Sequence, residues 1–417
     1  MTVSGRLSGG LAGYAVVASL GRGASAGLPS AMILAVLAAG GTASDGSLLI
    51  AAYTAVSGCM GPFVGAFVDR LERPKRGYAV ALIVLALFAA LLASGIGIWP
   101  GGVLVLLTAL MGVMHPMLFG AWSAQLRRIA PGVPAARAYS VDVATYNIGD
   151  IAGPAVVGLA YIFDATTPGA ASLEVVCLMY LIALVALTFV RIPPRSETHE
   201  KPPEPLLRTM RGLAILWRSR SLRRSTVIST VGYTAMGGLI VAAPLLATDL
   251  AGDPGVGALL LTVVAVGALL GSLVSARFPL RNVGPGALVV VTMLILGVLF
   301  ALLALSVSMW MAGAVSLCIG FVIAPQLGAV MQIRDRESTV QTRGMVFAAS
   351  SSFKTGAVAL GSLAAAALVA DGWRTLLFAA AAIEVIAVEL GLLIAGGPGS
   401  QRRVTTTPSR VGEAQAE

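Results

Sequence analysis

The chain has 417 residues, of which 57% are hydrophobic and 11% charged, and its mean hydropathy is +0.89. That composition excludes the two or three soluble domains that length alone would permit. The net charge of +9 does not point to nucleic acid either, because the basic residues sit in short loops and two tails rather than on one folded face.

A bilayer core of about 30 Å takes about 20 apolar residues per helix, and such runs follow one another along the chain. Span 1 (11–40) carries Arg22, and span 2 (47–68) runs into the loop "GAFVDRLERPKR", where six charges fall in eight positions. Span 3 (78–98) is featureless. Span 4 (102–126) contains His115 followed by Pro116, and span 5 (138–163) contains Asp142, Tyr146, Asn147 and Asp150. Span 6 (172–190) closes a first group of six. Spans 7 (225–247), 8 (255–277), 9 (285–305), 10 (308–332), 11 (344–369) and 12 (375–396) make a second, with Lys354 in span 11 and Glu384 and Glu389 in span 12. No segment alternates as a membrane β-barrel requires. The sequence predicts an all-α membrane protein of twelve transmembrane helices.

Between the groups, 191–224 reads as a linker. Its first part is rich in proline and charge. Its second places Leu206, Met210, Leu213 and Trp217 near one helical face and Arg208, Arg211, Arg218 and Arg220 elsewhere, which suits a helix lying on the membrane surface. The expected organisation is a bundle over 1–190, a linker over 191–224, a second bundle over 225–396 and a disordered tail over 397–417. Lys and Arg concentrate on the side holding loops 2–3, 4–5, 6–7, 8–9 and 10–11, whereas the opposite loops hold Asp45, Asp164, Asp249, Asp253 and Asp371, with Arg374 the base near them. The positive-inside rule puts the basic loops and both termini in the cytoplasm of a multi-pass cell-membrane protein. The first apolar run is too long for a cleavable signal.

Cys59, Cys177 and Cys318 fall inside spans and read as packing residues. With two histidines, His115 and His199, and no metal-ligand spacing or nucleotide loop, neither an enzyme nor a metal or cofactor site is expected. Arginine outnumbers lysine 25 to 3, a usage that suits a GC-rich bacterial genome.

The two groups are related by duplication. "GAFVDRLERPKRG" starts at Gly65 and "GSLVSARFPLRNVG" at Gly271, an offset of 271 − 65 = 206, and Arg137 and Arg343 repeat that offset as 343 − 137 = 206. Two landmarks at one offset indicate two six-helix pseudo-repeats, an arrangement that builds a midplane site between halves that rock.

On these residues the chain resembles the major facilitator superfamily. Gly65, Asp69, Arg70 and Arg73 match the family's charged loop after span 2, with Glu72 where a glycine is usual and Ser275 replacing the acid in the second copy. In span 5, Gly149, Gly153, Pro154 and Gly158 resemble a signature typical of exporters, with Val157 a departure; small residues at this spacing also serve plain helix packing. The resemblance implies alternating access, a central cavity lined by spans 1, 4, 5, 7, 10 and 11, and a loop acid, Asp69, acting as a conformational latch toward the start of span 11 at 343–346. An arginine common before a glycine in span 4 of drug/proton antiporters is absent, since Thr108 stands there before Gly112.

Arg22, His115, Asp142, Asp150 and Lys354 lie on cavity-lining spans, where an isolated charge costs roughly 2.5–3.5 kcal/mol on insertion scales. At about 100° per residue, Asp142, Tyr146 and Asp150 fall within about 80° of one another. Asp150 is expected to bind the proton. Pairing with Arg22 or Lys354 in one state favours its charged form, and separation in an apolar site favours the protonated one; a permanent structural pair is the other reading. His115 is either a titrating group or a hydrogen-bonded packing residue. The leading function is proton-coupled export of a small organic molecule. Alternatives are uptake of a solute, possibly anionic and held by Arg22 and Lys354, and a non-transporting receptor or scaffold. The expected partners are substrate, protons and lipid, with the chain monomeric.

Overall fold

The computed structural model describes residues 9–164, 166–193, 214–278, 283–338 and 343–395. Twelve long helices run through them: α1 Gly9–Ala38, α2 Ala43–Arg70, α3 Pro74–Gly95, α4 Gly101–Ile129, α5 Ala135–Phe163, α6 Pro168–Thr188, α7 Arg220–Ala251, α8 Gly255–Arg277, α9 Pro285–Ala304, α10 Met309–Glu337, α11 Arg343–Leu368 and α12 Trp373–Ala395. Ten are long and apolar enough to cross a membrane. The other two are α2 and α5, and the apolar run of α5 is interrupted by Asp142, Asn147 and Asp150. The tail over 397–417 and the residues 194–213, which include most of the expected surface helix, lie outside the described residues.

Helix ends follow local chemistry. Thr42 and Asp45 form a reciprocal capping box at the start of α2, satisfying two of the amide groups that a helix start leaves unbonded. Ser219 and Ser308 cap α7 and α10. Pro74 and Pro285 open α3 and α9, where a missing N–H costs nothing. Gly252 ends α7 at φ 75°, a conformation that strains any residue with a Cβ. α4 is bent. After Pro116 its backbone passes through a π-type turn at Met117–Ala121, where Phe119 leaves helical geometry (φ −104°, ψ −107°).

Several helices extend beyond the apolar runs. α7 starts at Arg220 rather than 225, and α10 continues to Glu337 rather than stopping at 332. Hydropathy registers the thickness of the hydrocarbon, whereas the hydrogen-bond ladder continues into the interface.

The packing repeats itself between the halves. α1 lies against α5 and α6 as α7 lies against α11 and α12; α2 pairs with α4 as α8 pairs with α10; and α3 rests on α6 as α9 rests on α12. The principal contacts between halves, α2 with α11 and α5 with α8, exchange under the same operation. The outer faces of α3 and α9 expose Val80, Ile83, Leu87, Val291, Leu294 and Val298, apolar stripes that water would penalise and lipid accepts.

Among lipid tails there is little hydrophobic gain in bringing helices together, so close backbone approach through small residues carries the association. Gly149 and Gly153 of α5 face Gly23 and Gly27 of α1. Between the halves, Gly158 lies on Gly255 and Ala258 of α8, and Gly58 of α2 lies on Gly356 of α11. The Ser44 hydroxyl donates to the Ala366 carbonyl at 2.9 Å. These contacts lie between the middle of the bundle and the end bearing the acidic loops, and they join the two halves there.

Candidate functional site

Arg22 lies near the middle of α1 and is 1% exposed. Its Nη1 bonds the Asp142 Oδ1 at 2.8 Å, the Asp142 carbonyl at 3.2 Å and the Thr145 hydroxyl. Its Nη2 donates to the Ser123 hydroxyl at 2.9 Å, and its Nε donates to the Leu118 carbonyl at 3.1 Å. Leu118 belongs to the π-type turn, so the irregularity in α4 supplies an acceptor. The guanidinium also lies 3.7 Å above the Tyr146 ring, a favourable arrangement for a desolvated cation. Asp142 receives a second hydrogen bond from Tyr14, whose ring stacks on Trp122 at 5.4 Å. A buried charge pair persists when its remaining hydrogen-bonding capacity is met, and this one is met from α1, α4 and α5 at once.

Asp150, two helical turns from Asp142, is placed differently. Among the described residues it makes no hydrogen bond or ion pair. It is exposed and within electrostatic range of both Arg22 on α1 and Tyr233 on α7, so it faces the space between the halves. The structure thus joins Arg22 to Asp142, and in this conformation the expected pairing of Asp150 with Arg22 or Lys354 is not made. The stripe on α5 divides into a buried, neutralised end and an open, unpaired one. Asn147 is half-buried beside it.

His115 does not reach Asp150. Its Nδ1 shares a hydrogen bond with the Tyr53 hydroxyl of α2, and its ring stacks on Phe119 at 4.3 Å. Phe119 lies 5.7 Å from Tyr146, so an aromatic chain links His115 to the Arg22 cluster and fixes α2 to α4.

Across the space, the Lys354 Nζ of α11 stands 4.7 Å from the Tyr233 ring centroid. It is half-buried, without an ion-pair partner among the described residues, and within electrostatic range of Arg334. Arg334 on α10 is 2% exposed, and its Nε and Nη2 have no hydrogen-bond partner among the described residues. Sequence reasoning missed Arg334 because the apolar run stops at 332; the signal available was one further helical turn, "QIRDRE". It also missed Tyr233, Ser123 and Thr145, which are polar without being charged. Glu384, expected on a peripheral span, is 3% exposed and points inward between α7 and α9, toward Gly232, with Oε2 unpartnered among the described residues. Glu389, five residues on, is exposed.

In the loop after α2, Arg70 and Arg73 are exposed, and the Lys75 Nζ donates to the Thr188 carbonyl at the end of α6 at 2.7 Å. The surroundings of Gly65 and Asp69 lie outside the described residues. Gly149, Gly153 and Gly158 pack as described above, and Pro154 is buried beside them. Among the described residues no group of His, Cys, Asp or Glu is arranged to hold a metal.

Comparison with protein families matches residues 11–239 to the Major Facilitator Superfamily. No curated protein matches the sequence. Solved structures with the same fold include a mutant of the nucleoside transporter NupG, at TM-score 0.78 and 13% identity, covering 92% of this chain and 99% of that one. A bacterial homologue of the human lysosomal transporter Spinster, inward-facing and unoccupied, aligns at TM-score 0.70 and 15% identity over 93% and 96% of the two chains. The human organic anion transporter MFSD10 aligns at TM-score 0.64 and 16% identity over 91% and 98%.

Proposed function

The chain belongs to the major facilitator superfamily and is a membrane transporter, and from that premise we propose that it exports a small organic molecule in exchange for protons, with Asp150 as the proton-binding carboxylate. The observation that carries this reading is the division of labour on α5. Asp142 already neutralises Arg22, which leaves Asp150 as the acid facing the space between the halves. A carboxylate there is neutralised by a proton or by a cation brought to it, and either event alters how the halves attract each other. With the basic loops and both termini in the cytoplasm of a cell membrane, the contacts that join the halves near the acidic loops lie on the outward side, which suits an inward-open state. Asp69, with Gly65, Arg70 and Arg73, is proposed to latch the opposite state by reaching the α11 N-terminus, whose free amide groups favour an anion.

Purified protein in liposomes with an imposed proton gradient tests the assignment. Asp150→Asn is expected to lose gradient-driven flux while keeping substrate counterflow; unchanged gradient-driven flux in a folded variant would overturn it. Accumulation in sealed vesicles of known orientation reads the direction. Loss of the state-dependent accessibility change in Asp69→Asn is the expected sign of the latch.

A second reading, uptake of an anionic solute, is favoured by Lys354 and Arg334, two cations on the C-terminal half without carboxylate partners among the described residues. On that reading Lys354→Gln raises KM for anionic solutes and leaves neutral ones unaffected.

A further inference from the structure

A cleft of about 270 Å³ opens between α7, α9 and α10 at the basic-loop end of the C-terminal half, away from the central space. Arg220, Ser221, Arg224 and Ser225, all on the first turns of α7, supply its polar wall. The Nε of Arg224 is buried with no hydrogen-bond partner among the described residues. Ser219 caps α7 by accepting from the Leu222 amide at 3.4 Å, which leaves the amide groups of Arg220 and Ser221 without a helical acceptor. A second helix start opens on the same space. Gly286 is the second residue of α9, and a Cβ placed there would meet nothing within 4 Å. Two arginines and two positive helix ends therefore border one cleft, and among the described residues no carboxylate lines it.

The deeper wall is apolar, formed by Ile228, Val289 and Ile333, all buried. A free phosphate ion makes no use of such a wall, whereas a phospholipid presents a phosphodiester with hydrocarbon directly beneath it. The cleft also sits where a lipid headgroup lies, at the point where the polar linker enters the apolar run of α7, with Trp217 and Arg218 exposed beside it. We propose that this cleft binds the headgroup of an anionic phospholipid from the basic-loop leaflet, tying α7, α9 and α10 together at their ends. The inference is independent of the direction of transport and of Asp150.

The full chain, purified and delipidated, is titrated with phosphatidylglycerol or phosphatidylcholine and bound lipid is read by native mass spectrometry. The wild type is expected to prefer the anionic lipid by at least about tenfold. The double variant Arg220→Gln/Arg224→Gln is expected to bind both lipids alike, Arg220→Lys/Arg224→Lys to keep most of the preference, and Arg218→Gln, outside the cleft, to keep all of it. A monodisperse profile on size exclusion shows that each variant is folded. An undiminished preference in the glutamine variant would overturn the proposal. So would inorganic phosphate that displaces the lipid at equal concentration, because the site would then be one for soluble phosphate.

Discussion

Arg22 and Asp142 form an ion pair of 2.8 Å in the interior of the N-terminal half, while Asp150, on the same helix as Asp142, holds no cation among the described residues. Removing one member of such a pair leaves a buried charge uncompensated, at a cost of about 3–5 kcal/mol. Asp142→Ala is therefore expected to lower the melting temperature and the yield of folded protein severely. The double variant Arg22→Met/Asp142→Ala, which buries no charge, is expected to recover part of the loss. A double variant less stable than Asp142→Ala would show that the bonds of Arg22 to Leu118 and Ser123 matter more than its charge.

Asp150 is expected to behave in the opposite way. With no partner to lose among the described residues, Asp150→Asn keeps its melting temperature within a degree or two of the wild type, about 0.5 kcal/mol or less in a chain of this size. Thermal unfolding in detergent, monitored by tryptophan fluorescence, measures this directly. A fall comparable to that of Asp142→Ala would make Asp150 a structural residue and remove the ground for its role in proton binding.

The contrast between these two acids also marks how far the sequence could be read. The apolar runs and the 206-residue offset foretell the twelve helices and their duplicated packing, because both depend on bilayer thickness and local periodicity. Helical spacing likewise puts Asp142, Tyr146 and Asp150 near one face. Which acid meets Arg22 is decided by the axial register of α1 against α5, and that register is set by Gly23 and Gly27 seated on Gly149 and Gly153. Pro116 announces a break in α4, but nothing in the local sequence says that the turn at Leu118 offers its carbonyl to Arg22. Arg334 was hidden for a simpler reason: charge at the end of an apolar run reads as a loop, although the helix continues through it.

That register gives a third prediction. A Cβ at Gly153 would lie 2.8 Å from the Gly27 amide nitrogen and 3.0 Å from the Gly23 carbonyl carbon, backbone atoms that cannot turn aside. Gly153→Val is expected to cost at least about 1–3 kcal/mol by overpacking and to weaken the Arg22–Asp142 pair by spreading α1 from α5. Gly313→Ala, where a Cβ meets nothing within 4 Å, serves as the control, with stability unchanged or raised.

The turn between α5 and α6 supplies a pH dependence outside the membrane. Asp164 Oδ1 accepts from the Thr166 amide at 2.8 Å, the Thr167 amide at 2.9 Å and the Thr166 hydroxyl at 2.8 Å, and these bonds hold its carboxyl below the usual carboxylate value of 3.8. A carboxyl whose folded value is depressed adds stability above its unfolded value and loses it as pH falls through the folded one. The melting-temperature difference between wild type and Asp164→Ala, small because the turn is exposed, is thus expected to be constant at neutral pH and to shrink below pH about 4. A difference that widens on acidification would contradict the assignment.

Glu384 and Gly232 form a coupled pair in the C-terminal half. The Glu384 Oε2 is buried without a hydrogen bond among the described residues and would lie 2.7 Å from a Cβ at position 232, where Met293 Sδ would also crowd it at 2.8 Å. Glycine at 232 is therefore what makes room for the acid. Gly232→Ala is expected to destabilise by roughly 1–3 kcal/mol. Glu384→Gln, which gives up no ion pair, is expected to leave the melting temperature unchanged or to raise it. In Gly232→Ala/Glu384→Ala the collision with the carboxylate disappears, so the double variant should fall short of the sum of the Gly232→Ala and Glu384→Ala effects by at least about 0.5 kcal/mol. Strict additivity would mean that the crowding at 232 comes from Met293 alone. In that case the room beside Gly232 accommodates the thioether, and the inward orientation of Glu384 is independent of it.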